Sequence, residues 1–480
     1  MFGRGAKERA RLLAEIETKD RRIAEQDRRI AELEAEVRAL RKLVAELQER
    51  LSKNSGNSSR PPSTDGPENT PPRRKSTGCG RKPGGQPGHE GHQRQRLPAD
   101  ETRDYYPETC GECGCALPRR SDMEPSVHQV VEIPAPMPHV TDHRCHGIEC
   151  PECAAVTYAE LPVDVPISGF GARLTATASL FTGRYKVSKR DVQELLADLF
   201  GINVSLGGVS NMEKHVGDAL AQPWEEARKY VVEQKTAYGD ETSWSEGNGK
   251  AKKAWLWVAG TELVTFFKIA PSRAGEVAKE MLAGFVGVLV TDRYTVYSFF
   301  EPLLRQLCWA HLMRDFEAIA ERGGKSGRIG RHLLREGRRM FKLWHRVRDG
   351  TLSRSAFEQR MKAVESRVGR LLREAQRCGN LRTARTATEI LKLEAALWTF
   401  AHVPGVEPTN NRSERSLRRG VMWRRVSFGT QSARGSRFVE RILTATTTLR
   451  QQGRNVLNYL TEAVQAASEG RACPSLLPNP

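Results

Sequence analysis

Val286-Gly287-Val288-Leu289-Val290-Thr291-Asp292-Arg293-Tyr294 is an apolar run that ends on an acid. A continuous run of this kind suits a strand buried on both faces, at the centre of a sheet. Upstream, residues 236–240, 254–259 and 263–269 are rich in aromatic and β-branched side chains and read as three strands. A helix over 272–285 leads into the central run, and residues 305–309 read as a fifth strand. Strands first, then strands alternating with helices, is the order of a ribonuclease H-like α/β core. Residues 311–400 are almost entirely helical and basic, and the pattern predicts further helices from about 410 and over 437–449.

Two acids stand at strand ends in this reading. Asp240 closes the first strand in Tyr238-Gly239-Asp240-Glu241-Thr242, and Asp292 closes the central one. In a ribonuclease H-like sheet those strands are neighbours, so the carboxylates emerge side by side. A third acid must come from a later helix. Glu414, in Thr409-Asn410-Asn411-Arg412-Ser413-Glu414-Arg415, lies one turn into such a helix. Three oxygen ligands suit Mg²⁺ or Mn²⁺. Two ions about 4 Å apart activate an attacking oxygen and stabilise a leaving one. The alternatives are plain: an Asp after a strand is a common turn residue, and Glu414 is spaced to pair with Arg418. His311, in Cys308-Trp309-Ala310-His311-Leu312-Met313-Arg314, follows a strand. It reads as a catalytic residue at the metal site or scissile phosphate, or as a helix cap. Arg314 reads as a phosphate contact or as a partner of Asp315 or Glu317.

The formal net charge is +18, which favours a polyanionic partner. Half of that excess sits in residues 412–454, with eleven arginines against Glu414 and Glu440. Arg412, Arg415, Arg418 and Arg419 share a helix with Glu414 and are candidate DNA contacts. Arg424, Arg425, Arg434 and Arg437 are expected to follow in loops or strands around Trp423 and Phe428 and to contact DNA as well. Guanidinium forks match phosphate oxygens. Trp423 reads as a core residue before a base-stacking one.

Among ten cysteines, Cys110-Gly111-Glu112-Cys113 and Cys150-Pro151-Glu152-Cys153 form two Cys-x-x-Cys pairs. Two pairs of thiolates complete a tetrahedral structural zinc site, with no open position for catalysis. Cys115, Cys145, His143 and His146 are possible substitutes. The chain shows no secretion signal and no run near the ~20 apolar residues of a membrane span. A cytoplasmic, nucleoid-associated protein is expected.

Towards the N-terminus, residues 8–51 read as one long helix. Ile16, Ile23, Ile30, Val37, Val44 and Leu51 recur every seven residues, with Leu12, Leu33, Leu40 and Leu47 on the companion row. β-Branched residues at a and Leu at d favour a parallel dimer, with Lys19 and Gln26 weakening the first half. Residues 53–103 are rich in Pro, Gly, Ser, Asn and basic residues and read as a linker. Within them Gly84-Gly85-Gln86-Pro87-Gly88-His89-Glu90-Gly91-His92 is glycine-rich. Residues 189–215 read as two helices about a glycine turn, either a helix–turn–helix that meets DNA or an ordinary packed pair. The expected order is coiled coil 1–52, basic linker 53–103, zinc module 104–165, helical domain 166–232, first core part 233–320, helical insertion 321–404, Arg-rich last core part 405–450, and a C-terminal helix and tail 451–480.

Taken in order, these motifs resemble the transposases of the insertion-sequence-66 family. The resemblance runs from the coiled coil and Asn54-Ser55-Gly56-Asn57-Ser58-Ser59-Arg60-Pro61-Pro62-Ser63, through the glycine-rich segment and the cysteine pairs, to Asp240-Glu241-Thr242, Thr291-Asp292-Arg293-Tyr294, Cys308-Trp309-Ala310-His311 and the Asn410–Arg415 motif. It implies an Asp-Asp-Glu transposase with the triad Asp240, Asp292 and Glu414, and zinc ligands Cys110, Cys113, Cys150 and Cys153. It also implies two small accessory proteins encoded beside it. The expected substrate is double-stranded DNA, at element ends and target. The competing readings are a nuclease or resolvase that stops at hydrolysis, and a catalytically decayed DNA-binding protein.

Overall fold

The computed structural model describes residues 3–54, 58–59, 95–247 and 252–478. Most of the linker, including Gly84–His92 and the greater part of the Asn54–Ser63 motif, lies outside the described residues, as does the side chain of Leu12.

Helix α1, Gly3–Ser52, confirms the long N-terminal helix. Its heptad rows are uncovered: Ile16, Ile23 and Ile30 are each 53% exposed. After it come a two-stranded antiparallel hairpin, β1 Gly147–Glu149 and β2 Val156–Tyr158, then helices α2 Ala172–Leu180, α3 Lys189–Phe200, α4 Leu206–Ala219 and α5 Ala221–Val232. Helices α3 and α4 flank Gly201, whose φ of +66° closes α3. Ala178, Val192, Leu196, Val209 and Met212 pack this pair against α2 in a small cluster of its own.

The sheet is built from β3 Thr236–Glu246, β4 Lys252–Gly260, β5 Thr265–Ala270, β6 Val288–Thr291 and β7 Arg305–Leu307, with α6 Gly275–Met281 between β5 and β6. Its order is β5-β4-β3-β6-β7. The first three strands are antiparallel; β6 joins β3 and β7 in parallel. All four residues of β6 are buried, as its apolar sequence requires. Alternation then divides the sheet between two cores. Ala237 and Leu289 face one core, with α2, α4, α5 and the C-terminal helices. Tyr238, Val288 and Val290 face the other, with the helical segment that follows β7.

That segment comprises α7 Trp309–Glu321, α8 Gly324–Arg348, α9 Arg354–Gln376, α10 Leu381–Leu391 and the single turn α11 Thr399–His402. Helices α12 Asn411–Ser427, α13 Ala433–Gln451 and α14 Val456–Ser468 complete the chain. Arg424, Arg425, Arg434 and Arg437 therefore lie on helices, not in loops or strands as the sequence led us to expect. Phe428, with φ of +57°, and Gly429 make the break between α12 and α13. Trp423 is in the core, edge-on to Phe438.

Helix α13 also covers the free edge of β5. Glu440, Thr444 and Thr448, spaced four apart, accept the N–H groups of Ile269, Phe267 and Thr265, spaced two apart, at 2.9–3.0 Å. Four helical residues rise ~6.0 Å and two strand residues ~6.6 Å, so the rows stay in step. A sheet edge that would otherwise present open donors is thus closed.

Candidate active site

Strands β3 and β6 run parallel with Tyr238 opposite Val290. One equal step further along each strand brings Asp240 beside Asp292. Contrary to the sequence reading, Asp240 does not end its strand, since β3 continues to Glu246. The pairing with β6 stops at Tyr238, so the flank of Asp240 on that side is free of a strand partner. Each acid also accepts a local N–H, Asp240 from Glu241 and Asp292 from Tyr294, both at 2.9 Å. Burial, the charge of Glu241 and that of Asp292 hold the Asp240 carboxyl well above the usual carboxylate range, and Glu414 adds to the effect.

Glu241 is turned to other work. Its carboxylate accepts Arg273 at 2.7 and 3.0 Å and the Tyr297 hydroxyl at 2.7 Å. Arg273 in turn stacks on Tyr294, 3.7 Å from the ring centre. This buried pair fixes the face of β3 that does not carry Asp240.

Glu414 stands in the first turn of α12, where the helix dipole favours a carboxylate. It faces His311 and, among the described residues, makes no ion pair with Arg418: Glu414 Oε1 lies 3.6 Å from His311 Nδ1. Both atoms are buried and lack a hydrogen-bond partner among the described residues. Burial and Arg314 push the His311 pKa below its ordinary value, against the pull of Asp292, Glu414 and Asp315. Asp315 pairs with Arg293 at 3.0 Å rather than with Arg314.

All four sequence-derived residues thus meet in one region, at the ends of β6 and β7 and the starts of α7 and α12. Among the described residues the tight three-donor grouping here is Cys308, His311 and Glu414, within 4.8 Å of one another; the three carboxylates do not all come that close. Burial pushes the Cys308 thiol up to about 11. It is a protonated core group that accepts the N–H of Asn410 at 3.2 Å, and a poor metal ligand.

The basic residues divide. Arg412, Arg415, Arg419 and Arg450 line a shallow cleft with Thr447 and Gln451. Arg412 also lies over the Tyr238 ring, 5.4 Å from its centre. Arg418, Arg425, Arg434 and Arg437 are exposed. Arg424 is engaged within the fold, donating to Thr242 Oγ1 at 3.2 Å and to Ser243.

The two cysteine pairs fold alike. Gly114 N–H bonds Cys110 O at 3.0 Å and Ala154 N–H bonds Cys150 O at 2.9 Å, with φ of +73° and +57°. In each turn two N–H groups point at the first sulfur, those of Cys113 and Glu112 at Cys110 and those of Cys153 and Glu152 at Cys150. They bring Cys110 down to about 7 and lower Cys150 too. Cys110, Cys113 and Cys115 lie within 4.8 Å of one another, whereas the four sulfurs of the two pairs do not.

A sequence model described as the IS66 transposase family matches residues 175–437, more than half of the chain. The chain belongs to the IS66 transposase family. The match spans the whole of the acid cluster and most of the basic helices. Residues 10–95 of this IS66-family chain match a second model, a family of unknown function (DUF6444). A curated relative, uncharacterized protein y4qI of Sinorhizobium fredii (strain NBRC 101917 / NGR234), is 23% identical over 299 residues, 56% of this chain. The chain spans about half, 54%, of that relative's length.

Two residues of the site were missed by sequence reasoning. Asn410 is 1% exposed; its side chain donates to Gly239 O at 2.7 Å, and its carbonyl accepts Glu414 N–H at 3.2 Å. It stood in the quoted motif, but uncharged. Arg305, also 1% exposed, donates to Thr291 Oγ1 at 3.1 Å and to the Asp292 carbonyl at 3.2 Å. An arginine inside a predicted strand was the available signal. Among the described residues no helix is long and apolar enough to cross a membrane.

Proposed function

We propose that this IS66-family protein is a DNA transposase that cleaves the ends of its element and joins the freed 3′-hydroxyl to target DNA. The observation that carries the reading is the convergence of Asp240, Asp292 and Glu414, from two neighbouring parallel strands and a helix start. The sheet order, with three antiparallel strands followed by two parallel ones, supports a ribonuclease H-like core for residues 233–320 and 405–450, interrupted by a helical insertion.

The donor set fits divalent cations. Burial raises Asp240 and the charges of Glu241, Asp292 and Glu414 add to it, and Glu414 Oε1 is buried with no hydrogen-bond partner among the described residues. Asp240, Asp292 and Glu414 would hold Mg²⁺ or Mn²⁺, which would supply activation of the attacking oxygen and stabilisation of the leaving one. The chain does the rest. Arg305 holds the backbone at Asp292, Asn410 holds Glu414 against β3, and His311 stands 3.6 Å from Glu414. Arg412, Arg415 and Arg419 carry positive charge from the same helix face region to the phosphates. Arg418, Arg425, Arg434 and Arg437 extend that surface.

The paired cysteine turns support a zinc site using Cys110, Cys113, Cys150 and Cys153, with Cys115 a contender. The uncovered a and d rows of α1 support a parallel dimer. A strand-transfer assay with end-containing duplex tests the main reading. Asp240→Asn, Asp292→Asn and Glu414→Gln should each lower cleavage and joining by roughly a hundred- to a thousandfold, on the scale of lost transition-state stabilisation, while DNA binding persists. Full activity in one variant removes that residue from the triad. Cut but unjoined products favour a nuclease, and binding alone favours a decayed protein.

A further inference from the structure

Helix α8 carries a charge pattern that the acid cluster does not use. It has nine Arg and Lys and a single acid, Glu336, which is buried against Arg367 at 3.2 Å. Its apolar side, including Ile329, Leu333, Met340 and Trp344, is buried in the second core. Arg328, Arg331, Arg335, Arg338, Arg339 and Lys342 are exposed. At 3.6 residues per turn these six fall within about 100° of arc and run along ~21 Å of helix. Among the described residues no ion pair involves any of them. A solvated helix face ordinarily alternates its charges, which lowers self-repulsion. A face of one sign gains most from a polyanion laid against it.

Its placement is set by close packing. A Cβ at Gly330 would overlap the Ala320 backbone, and one at Gly337 would overlap the Met313 sulfur. Helix α8 therefore runs back along α7, and Gly337 sits level with Trp309 and Met313. That is the end of α7 that carries His311. The Arg335–Lys342 half of α8 packs level with the catalytic end of α7, helix axis to helix axis at ~8–10 Å, and the stripe lies roughly 140° around α8 from Gly330 and Gly337, on the side away from α7.

We propose that this face of α8 binds the phosphate backbone of duplex DNA outside the catalytic cleft, as a second contact separate from the Arg-rich α12 and α13. The inference rests on the reading of the protein as a DNA-acting enzyme. Duplex DNA carries one charge per ~1.7 Å of axis, so ~21 Å of cationic helix always has phosphates in reach. Five of the six residues are arginines, whose forked donors hold phosphate oxygens bidentately.

The test uses the full chain with Arg335→Gln, Arg338→Gln and Lys342→Gln combined. Binding to a duplex is measured against salt concentration, with far-ultraviolet circular dichroism and melting as folding controls. The expected result is a fall of about three in the log–log salt slope, since each lost phosphate contact removes about 0.9. Affinity near 0.1 M salt should drop roughly tenfold or more. An unchanged slope in a folded variant overturns the proposal. So does an equal fall when Arg360, Lys362 and Arg370 on α9 are changed to Gln, because binding would then follow overall charge. An unchanged DNA slope with lost binding to anionic phospholipid vesicles assigns the face to a membrane and also overturns it. Joining activity is read in parallel. Loss of slope without joining in the wild type leaves this inference standing and the transposase reading fallen. Joining with an unchanged slope does the reverse.

Discussion

Asn410 has no charge to give a reaction, yet three parts of the candidate site meet on it. Its side chain reaches Gly239, next to Asp240; its N–H reaches Cys308, three residues before His311; its carbonyl receives the N–H of Glu414. Asn410→Ala leaves the buried Gly239 carbonyl without its donor, a cost of about 1–3 kcal/mol. We expect the variant to fold with a lowered melting temperature and to lose joining activity beyond what its unfolded fraction explains. DNA affinity equal to wild type alongside equal activity would show that Asn410 serves stability alone. A second residue gives a pH dependence. Burial pushes the Glu440 carboxyl up to about 7, although it accepts the Ile269 N–H. Its folded pKa thus exceeds its unfolded one, so the native state takes up a proton. That stabilisation is complete below the unfolded value near 4.5 and is lost as pH rises through about 7. Glu440→Gln keeps the acceptor and removes the titration. Denaturant unfolding at pH 8 should find it more stable than wild type by about 2 kcal/mol, with the gain fading towards pH 5. A gain that does not vary with pH would place the effect elsewhere.

At the scale of elements, the sequence was most legible where periodicity was strong. The long N-terminal helix, the buried β6 and the first turn of α12 all stand within a few residues of where the pattern put them. The strand that carries Asp240 was cut six residues short. Its continuation, Glu241-Thr242-Ser243-Trp244-Ser245-Glu246, pairs with β4, and Trp244 is its single apolar residue, so it carries no hydrophobic alternation. The segment around Trp423 and Phe428 was misjudged for a related reason. Helices α12 and α13 bury small and hydroxyl residues such as Ser416, Gly420, Thr444 and Thr448, so their inner faces do not read as apolar stripes. The ladder from α13 to β5 is a tertiary match of two rises, and no local pattern announces it. For α1 the pattern makes a direct prediction. Its β-branched a row and Leu d row are exposed in the single chain, a stripe that helices cover by pairing. A peptide of residues 8–52 should be a helical parallel dimer by sedimentation, and Ile30→Asp with Val37→Asp should make it monomeric. A monomeric wild-type peptide at high concentration would count against the pairing.

At the scale of the whole molecule, stability is divided unevenly. Two hydrophobic cores share the central sheet and, with the small cluster around α3, account for the chain from Ala172 to Leu476. Residues 95–167 contribute no side chain to either core, and Tyr105, Met123, Val130, Ile133, Met137 and Val163 lie exposed there. So little buried apolar surface cannot offset the entropy of ordering the segment. What it does hold is two copies of one turn, each aiming backbone N–H groups at a cysteine sulfur and easing it towards the thiolate. Thiolates so prepared suit a metal ion, and metal binding would then supply the folding free energy of the module. The expectation is one zinc per chain in protein purified without chelator. Stripping it, or changing Cys150→Ser, should open residues 104–165 to protease and leave a resistant fragment that begins near residue 168. The melting transition of that fragment should match the one in the intact chain, because its two cores do not include the module. Absence of zinc would make the cysteines ordinary surface residues. Loss of the core transition together with the module would show that the two fold as one unit, held by contacts other than those between the described side chains.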